Sequence, residues 1–329
     1  MLSGFPCGPA LPYNPATMTR SPLPSPALPP VTILLASYQG AAHLGPQLHS
    51  LAEQDHRDWA LWVSDDGSTD GTRDILDMFR RDHPDRDIRL VEGPRRGAAA
   101  NFLSLMCHPD LPPGHVALAD QDDLWSPHKL SHGLMALTGH DGPAVYSAQS
   151  RHIDGTGRVL GVSRVHSGAP SFGNALVQNR VTGHCAVLTP AALELVRAVG
   201  MVEVPFHDWW LYLLITGAGG HVNVSPEVVL DYRQHGDNVL GAHRGLLAGL
   251  ARAAMVLGPT YRGWQARNRA ALEQARPWLT PQARALLAEL DAAPARGIAR
   301  ARLQARLGLT RDRPGATAFL RLAALFGRV

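Results

Sequence analysis

ALADQDDLW, Ala117–Trp125, sets small and apolar residues directly against three carboxylates, Asp120, Asp122 and Asp123. The apolar part reads as the end of a buried strand, where such crowding is costly. Two carboxylates about 6 Å apart repel by roughly 3 kcal/mol at an effective dielectric near 20. A divalent metal, nearby arginines or open solvent at a loop tip can each offset that repulsion.

Outward from this stretch, short apolar runs alternate with amphipathic segments, the pattern of a parallel sheet flanked by helices. VTILLAS (Val31–Ser37), WALWVS (Trp59–Ser64), IRLVE (Ile88–Glu92) and HVALAD (His115–Asp120) read as strands. Helices are predicted over His43–Glu53, Asp70–Arg81, Ala98–Met106 and Pro127–Leu137, the last capped by Ser126 with proline in its first position. Four strand and helix pairs in about 110 residues describe a doubly wound nucleotide-binding half. The chain then mixes strands and loops, and from about Arg244 alanine, leucine and arginine recur at helical spacing.

With 329 residues and 45% hydrophobic content, the chain is long enough for one large domain or two modest ones. The formal charge of +3 is carried almost wholly by arginine, Lys129 being the only lysine, and gives no ground for a nucleic-acid partner. Three cysteines, Cys7, Cys107 and Cys185, lie far apart, which suggests neither a disulfide framework nor a zinc knuckle and fits a reducing cytoplasm. No run approaches the roughly 18 to 20 apolar residues that cross a bilayer. Residues 1–30 are proline-rich, lack the basic start and apolar core of a signal peptide, and are expected to be disordered, with Met18 a second candidate start.

In open α/β sheets the ligand sits beyond the carboxyl ends of the strands. Here those ends are Ser37-Tyr38, Asp65-Asp66 and Asp120-Gln121-Asp122-Asp123. Neither GxGxxG nor GxxxxGKS/T follows the first strand, which disfavours a dehydrogenase and a P-loop kinase. DDGSTDGT, Asp65–Thr72, is rich in turn formers, with Thr69 or Asp70 able to cap the next helix. Its likeness to a calcium loop fails, because Arg73 stands where that loop places an apolar residue and a strand precedes it. What remains is Asp66 accepting hydrogen bonds from a nucleoside.

Strand alternation puts Asp120 and Asp122 on one side if the extended conformation persists that far. A hard divalent cation would then answer the repulsion, the alternative being a solvated loop with Asp123 near a helix start. Arg95 and Arg96 offer cations and free backbone amides suited to a diphosphate. Asp208, in HDWWLYLL, opens an apolar helix and can serve as cap and as catalytic base. In DYRQHGDN, Arg233 can neutralise a phosphate and His235 can bond a phosphate or a metal, unless the segment is a surface turn.

VTILLASYQGAAHLGPQLHSLAEQ, WVSDDGSTDGTRDIL, ALADQDDLWSPHKL, VTGHCAVL, HDWWLYLL and YRQHGDNVLG together resemble family 2 glycosyltransferases of the GT-A fold, within them the rhamnosyltransferase-like branch. The resemblance runs in the family's order from Val31 to about Gly241. It implies an α/β GT-A fold: a Rossmann-like, mostly parallel sheet flanked by helices, with a helical C-terminal extension. The catalytic domain would cover 31–243, with a nucleotide-sugar-binding half (31–140) and an acceptor half (141–243), and the basic extension 244–329.

Residue by residue, the resemblance implies that Ala36, Tyr38 and Asp66 line a nucleoside pocket and that Arg96 lies toward the diphosphate. Asp120 and Asp122 look like a DxD pair, Asp122 for the metal and Asp120 for ribose or metal, and Asp208 looks like the general base. Arg233, His235 and Asn238 resemble a polar segment that closes over the diphosphate or acceptor, with His207 and Trp209 beside the acceptor. One departure is that Arg95-Arg96-Gly97, where the family usually has Asn-x-Gly, precedes Asn101-Phe102.

The implied reaction is a single inverting displacement. Mg2+ or Mn2+ stabilises the leaving nucleoside diphosphate while Asp208 takes the proton of an acceptor hydroxyl. The first donor expected is dTDP-rhamnose, and the acceptor a glycan or lipid-linked glycan of the cell surface. A nucleotidyltransferase and a non-catalytic carbohydrate-binding relative are the rival readings. The arginine-rich tail, with Phe319, Leu322 and Phe326 on one face of a last helix, is either a peripheral contact with an anionic inner leaflet or a helix packed on the catalytic domain.

Overall fold

The computed structural model describes residues 28–234, 258–294 and 296–327; His235, Asn238 and residues 1–27 of the stretch expected to be disordered lie outside the described residues. Strands β1 (Val31–Ser37), β2 (Trp59–Asp65), β3 (Ile88–Glu92) and β4 (His115–Asp120) are parallel, joined through α1 (Leu44–Ala52), α2 (Thr72–Asp82) and α3 (Ala98–Met106). Beyond them come β5 (Leu124–Trp125), α4 (Lys129–Ala136), β6 (Ala144–Ile153), β7 (Val159–Val162), α5 (Phe172–Ala175) and a 3-10 turn at Gly183–Cys185. Then follow β8 (Val187–Leu188), α6 (Pro190–Val199), α7 (His207–Gly217) and β9 (His221–Arg233).

All the strands join one sheet in the order β3-β2-β1-β4-β8-β6-β9-β5, with β7 on β6. Because β8 is antiparallel to both β4 and β6, and β9 is parallel to β6, the carboxyl ends of β1, β4, β6 and β9 reach the same edge. The strand order reverses between β1 and β4, which is where an open α/β sheet leaves a crevice.

Continuous apolar strands follow from burial on both faces. Ile33 and Leu35 of β1 pack with Leu44, Leu48, Leu76 and Leu130 from α1, α2 and α4. Leu34, pointing the other way, packs with Phe102, Leu193 and Trp210 from α3, α6 and α7. Four more helices, α8 (Pro259–Gln274), α9 (Pro281–Ala292), α10 (Ile298–Arg306) and α11 (Pro314–Leu325), extend this second layer. Their Tyr261, Leu272, Leu287 and Leu320 share one core with Trp209 and Trp210, so the C-terminal helices do not bury a core of their own.

Ser126 does not cap α4. Leu124 and Trp125 pair with Asp231 and Leu230 as a short antiparallel strand, which keeps the chain extended and delays the helix to Lys129. Ser126 instead donates its amide to Val229 and accepts from the Lys129 amide through its carbonyl.

At the end of β2, Asp65 is fully buried and ties the DDGSTDG loop to the sheet. It accepts from the Ser68 amide (3.0 Å), the Ser37 hydroxyl (3.2 Å) and Arg73 Nε (2.7 Å), and Arg73 also grips Glu92 with both terminal nitrogens at 2.7 and 2.8 Å. Burial pushes the Asp65 carboxyl up, but the Ser68 and Arg73 hydrogen bonds outweigh it and hold the group below the usual carboxylate range. A carboxylate depressed in the folded state stabilises the fold above its unfolded pKa, about 3.9, and loses that contribution as pH falls through the folded value. Asp65→Asn is therefore expected to lower stability at pH 7 by about 1–3 kcal/mol. In urea unfolding the gap to the wild type should narrow below about pH 4; a gap independent of pH would contradict the assignment.

Candidate active site

The crevice between β1 and β4 is built by register. Ala36 lies opposite Asp120 across one pair and opposite Ser64 across the other. Past the strand ends Gln121 continues the pairing with its side chain, accepting from the Tyr38 amide (2.8 Å) and donating to the Tyr38 carbonyl (2.9 Å). Gly40 is required by this clamp, since a Cβ there would stand 2.2 Å from Gln121 Oε1. The Tyr38 side chain is left 56% exposed on the rim.

β4 ends at Asp120 and the chain bends at Gln121 and Asp122, so strand alternation does not extend to Asp122. The bend carries Asp123 inward. Asp123 is fully buried, and neither of its oxygens has a hydrogen-bond partner. It therefore does not brace the start of α4, as its sequence position suggests. Asp120, Asp123 and His184 bring ligand atoms within 4.8 Å of one another. His184 Nδ1 is 3.5 Å from Asp120 Oδ2 and 3.9 Å from Asp123 Oδ2, its Nε2 has no partner, and its ring stacks on Tyr232 at 4.8 Å. Asp122 sits half-buried on the bend, where its charge acts on both Asp123 and Tyr232.

Electrostatics bind the cluster together. Burial, then the charges of Asp120 and Asp122, push the Asp123 carboxyl up to about 8 against the pull of His184. Burial opposes the His184 charge, yet Asp123 and Asp120 raise that imidazole well above its usual value. Beneath them Lys129 is fully buried, donating to the carbonyls of Leu118 (3.2 Å) and His184 (2.7 Å), with its Nζ 3.0 Å from the Trp125 ring centroid. Burial pushes that ammonium down to about 7.

Two carboxylates and an imidazole, with the Asp123 oxygens and His184 Nε2 buried and unpartnered, form a donor set that suits a divalent cation such as Mg2+ or Mn2+. Sequence reasoning gave Asp120 and Asp122 but missed Asp123, His184, Gln121 and Lys129. The available signals were the VTGHCAVL segment, which carries His184, and the lone lysine inside an apolar helix.

Asp66 is buried, and its carboxylate accepts from the amides of Arg95 (2.5 Å) and Gly97 (2.8 Å). To aim its amide there, Arg95 takes a φ of +57°, in the left-handed region. The Arg95 amide, expected with that of Arg96 to be free for a diphosphate, is thus already engaged, as is the Gly97 amide. The loop offers the exposed Arg95 and Arg96 instead.

Asp208 stands in the first turn of α7, its Oδ1 accepting from the Trp209 amide (2.6 Å) and its Oδ2 from the Gly183 amide at a longer 3.3 Å. The turn at Gly183–Cys185 therefore joins Asp208 to the His184 cluster. His207 stacks on Phe102 at 4.1 Å, and burial lowers its pKa despite the neighbouring Asp208. Gly183 permits the approach, since a Cβ would lie 2.5 Å from His207 Nε2. Trp209, expected beside an acceptor, turns into the core: it is 4% exposed and its indole N–H donates to the Ala175 carbonyl at 2.7 Å. Arg233 ends β9, with Nη1 3.4 Å from the Gly155 carbonyl.

Residues 32–191 match the family model for Glycosyl transferase family 2. The dTDP-rhamnosyl transferase RfbG of Shigella flexneri is 24% identical over 245 residues, spanning 69% of this chain and 81% of that one. The mannosyltransferase PcManGT of Pyrobaculum calidifontis, solved with GDP-Man and Mn2+, is 21% identical with a TM-score of 0.50 over 92% of this chain and 86% of its own. TarS 1-349 of S. aureus, solved with UDP-GlcNAc, is 12% identical with a TM-score of 0.51 over 90% of each chain. These two likenesses concern the fold, which is GT-A-like. Six motifs in order, the sheet that gathers them and the family match lead to one conclusion: residues 32–191 form a glycosyl transferase family 2 domain, and the chain is a glycosyltransferase.

Proposed function

We propose that the chain transfers a sugar from a nucleoside diphosphate to a hydroxyl of a glycan or lipid-linked glycan in one inverting displacement, with dTDP-rhamnose the first donor to test. The observation that carries this reading is the turn at Gly183–Cys185, which places Asp208 beside a buried acidic group able to hold a cation. Rhamnose is favoured by the likeness to RfbG over most of both chains.

Ala36 and Tyr38 frame the nucleoside, and Asp66 acts by holding the Gly93–Gly97 loop that turns Arg95 and Arg96 toward the diphosphate. Arg233, at the end of β9, extends the polar rim on the other side. Asp120, Asp123 and His184, with Asp122 on the bend, would hold the cation. When bound, Mg2+ or Mn2+ supplies charge neutralisation for the departing nucleoside diphosphate.

Asp208 Oδ2, with only the longer contact to Gly183, is the oxygen placed to take the acceptor's proton. Attack comes from the face opposite the leaving group, so no covalent enzyme intermediate forms. Burial lowers the His207 pKa, which disfavours a positive charge on the ring next to Asp208. A nucleotidyltransferase would need no such acceptor-side base, and a binding-only relative would need none of this geometry.

Among the described residues no helix is long and apolar enough to cross a membrane. Phe326, Ile298 and Leu322 are nonetheless exposed, and the Gly297 amide bonds the Leu325 carbonyl, joining the start of α10 to the end of α11. Phe319, expected on the same face, is half-buried. With the exposed Arg302 and Arg306 on α10, this corner is proposed as a peripheral contact with anionic lipid.

Two measurements test these readings. Nucleoside diphosphate release from a panel of sugar nucleotides, with metal and acceptor, should fall by about a hundredfold or more in Asp208→Asn while donor binding persists; full transfer by that variant would remove Asp208 as base. Flotation with vesicles containing anionic lipid should carry the wild-type chain and lose it in the double variant Leu322→Ser, Phe326→Ser; equal flotation would remove the membrane contact.

A further inference from the structure

A cavity of about 90 Å³ with mixed polar and apolar walls opens beside the turn at Gly183–Cys185, its polar lining being Gln149 of β6, Ser225 of β9, and Arg164, His166, Arg180 and Thr182 from the chain between β7 and that turn. A bulge makes the space: Ser147 pairs with Val224 and Gln149 with Val228, so extra residues of β9 loop away from β6. The volume corresponds to about three waters at roughly 30 Å³ each, or to the hydroxyl edge of a sugar ring.

Two donors in this wall are buried and unsatisfied. Gln149 is 6% exposed and its Nε2 has no partner. Arg180 is 5% exposed; its Nη1 and Nη2 donate to the carbonyls of Gly168 (2.9 Å) and Ser167 (2.7 Å), whereas its Nε has no partner. An unpaired buried donor is costly, and a ligand rich in oxygen acceptors would relieve both.

The wall is set from a distance by the C-terminal helices. Asp312, between α10 and α11, has a side chain only 1% exposed and lies 2.6 Å from Arg180 Nη2. It also bonds His166 and accepts from Gln178 Nε2 at 2.7 Å, and its own amide donates to Gln178 Oε1 at 2.9 Å. Thr182, which also lines the cavity, precedes Gly183, whose amide points to Asp208 Oδ2. The cavity, lined by residues of β6 and β9, is therefore one residue along the chain from the amide that meets Asp208.

We propose that this cavity is a subsite for a sugar unit of the acceptor, whose hydroxyl oxygens accept from Gln149 Nε2 and Arg180 Nε, with Asp312 as a positioning residue acting through Arg180 and His166. The proposal deepens the transferase reading and rests on it for the word acceptor. It makes the C-terminal helices part of acceptor choice.

The test is saturation-transfer NMR on the full chain with the methyl glycosides of rhamnose, glucose, galactose, mannose and N-acetylglucosamine, with dTDP, UDP and GDP measured alongside. At least one glycoside should bind, and Gln149→Leu, which keeps the side-chain volume, should weaken it about tenfold. Asp312→Asn should weaken the same glycoside about three- to tenfold while nucleoside diphosphate affinity stays within about twofold. Failure of every glycoside to bind the wild type, unchanged affinity in Gln149→Leu, or joint loss of glycoside and nucleotide binding in Asp312→Asn would overturn the proposal. Because binding needs no turnover, absence of nucleoside diphosphate release by the wild type would sink the transferase reading, while glycoside binding alone decides the sugar subsite.

Discussion

Asp123 is a carboxylate with no exposed surface and no hydrogen bond, and the rest of the site is arranged around that cost. Leaving such a group uncompensated is among the more destabilising arrangements a protein can hold. Two cations stand against it. Lys129 lies below, fixed to the carbonyls of Leu118 and His184, and His184 faces it directly. The same lysine thereby ties β4 to the turn that carries His184, so charge balance and the geometry of the crevice come from one side chain. Burial raises the Asp123 carboxyl and lowers the Lys129 ammonium, each toward its uncharged form. A divalent cation beside them would relieve the carboxylates, and the unpartnered His184 Nε2 adds a nitrogen ligand.

The other acidic strand ends have different work. Asp65 closes a knot with Ser68, Arg73 and Glu92, and Asp66 holds the Arg95 and Gly97 amides. Both shape loops at the crevice rim without facing it as open carboxylates. Close approaches at Gly40 and Gly183 then bring Gln121 and His207 into place, where any Cβ would collide. Two halves of one sheet thus share one edge, with Asp120 and Asp123 on the β4 side and Asp208 across the Gly183–Cys185 turn.

Much of this was legible in the sequence where the signal is local. β1, β3, β4 and α3 match their predicted spans, since a continuous apolar run or a helical stripe depends only on neighbours a few residues apart. The start of α4 was misplaced because β5 is a two-residue strand whose partner, β9, lies far along the chain. The inward turn of Asp123 was hidden for a similar reason. Alternation assumes an extended chain, and the bend at Gln121 and Asp122 turns Asp123 inward. His184 reaches Asp120 only because β8 inserts between β4 and β6, which no periodicity announces. Trp209 shows the converse error: adjacency to Asp208 suggested a ligand contact, whereas the helical rotation of one residue sends it into the core.

The central claim is that a buried group, and no solvated acidic loop, holds the cation. It is tested most directly by titrating Mn2+ into the full chain with a nucleoside diphosphate present and following free Mn2+ by electron paramagnetic resonance, for the wild type, Asp120→Asn, Asp123→Asn and His184→Ala. The account predicts one bound ion per chain in the wild type and affinity weakened about tenfold or more in each variant. Wild-type affinity in Asp123→Asn and His184→Ala would contradict it and return the ion to the exposed bend at Asp122.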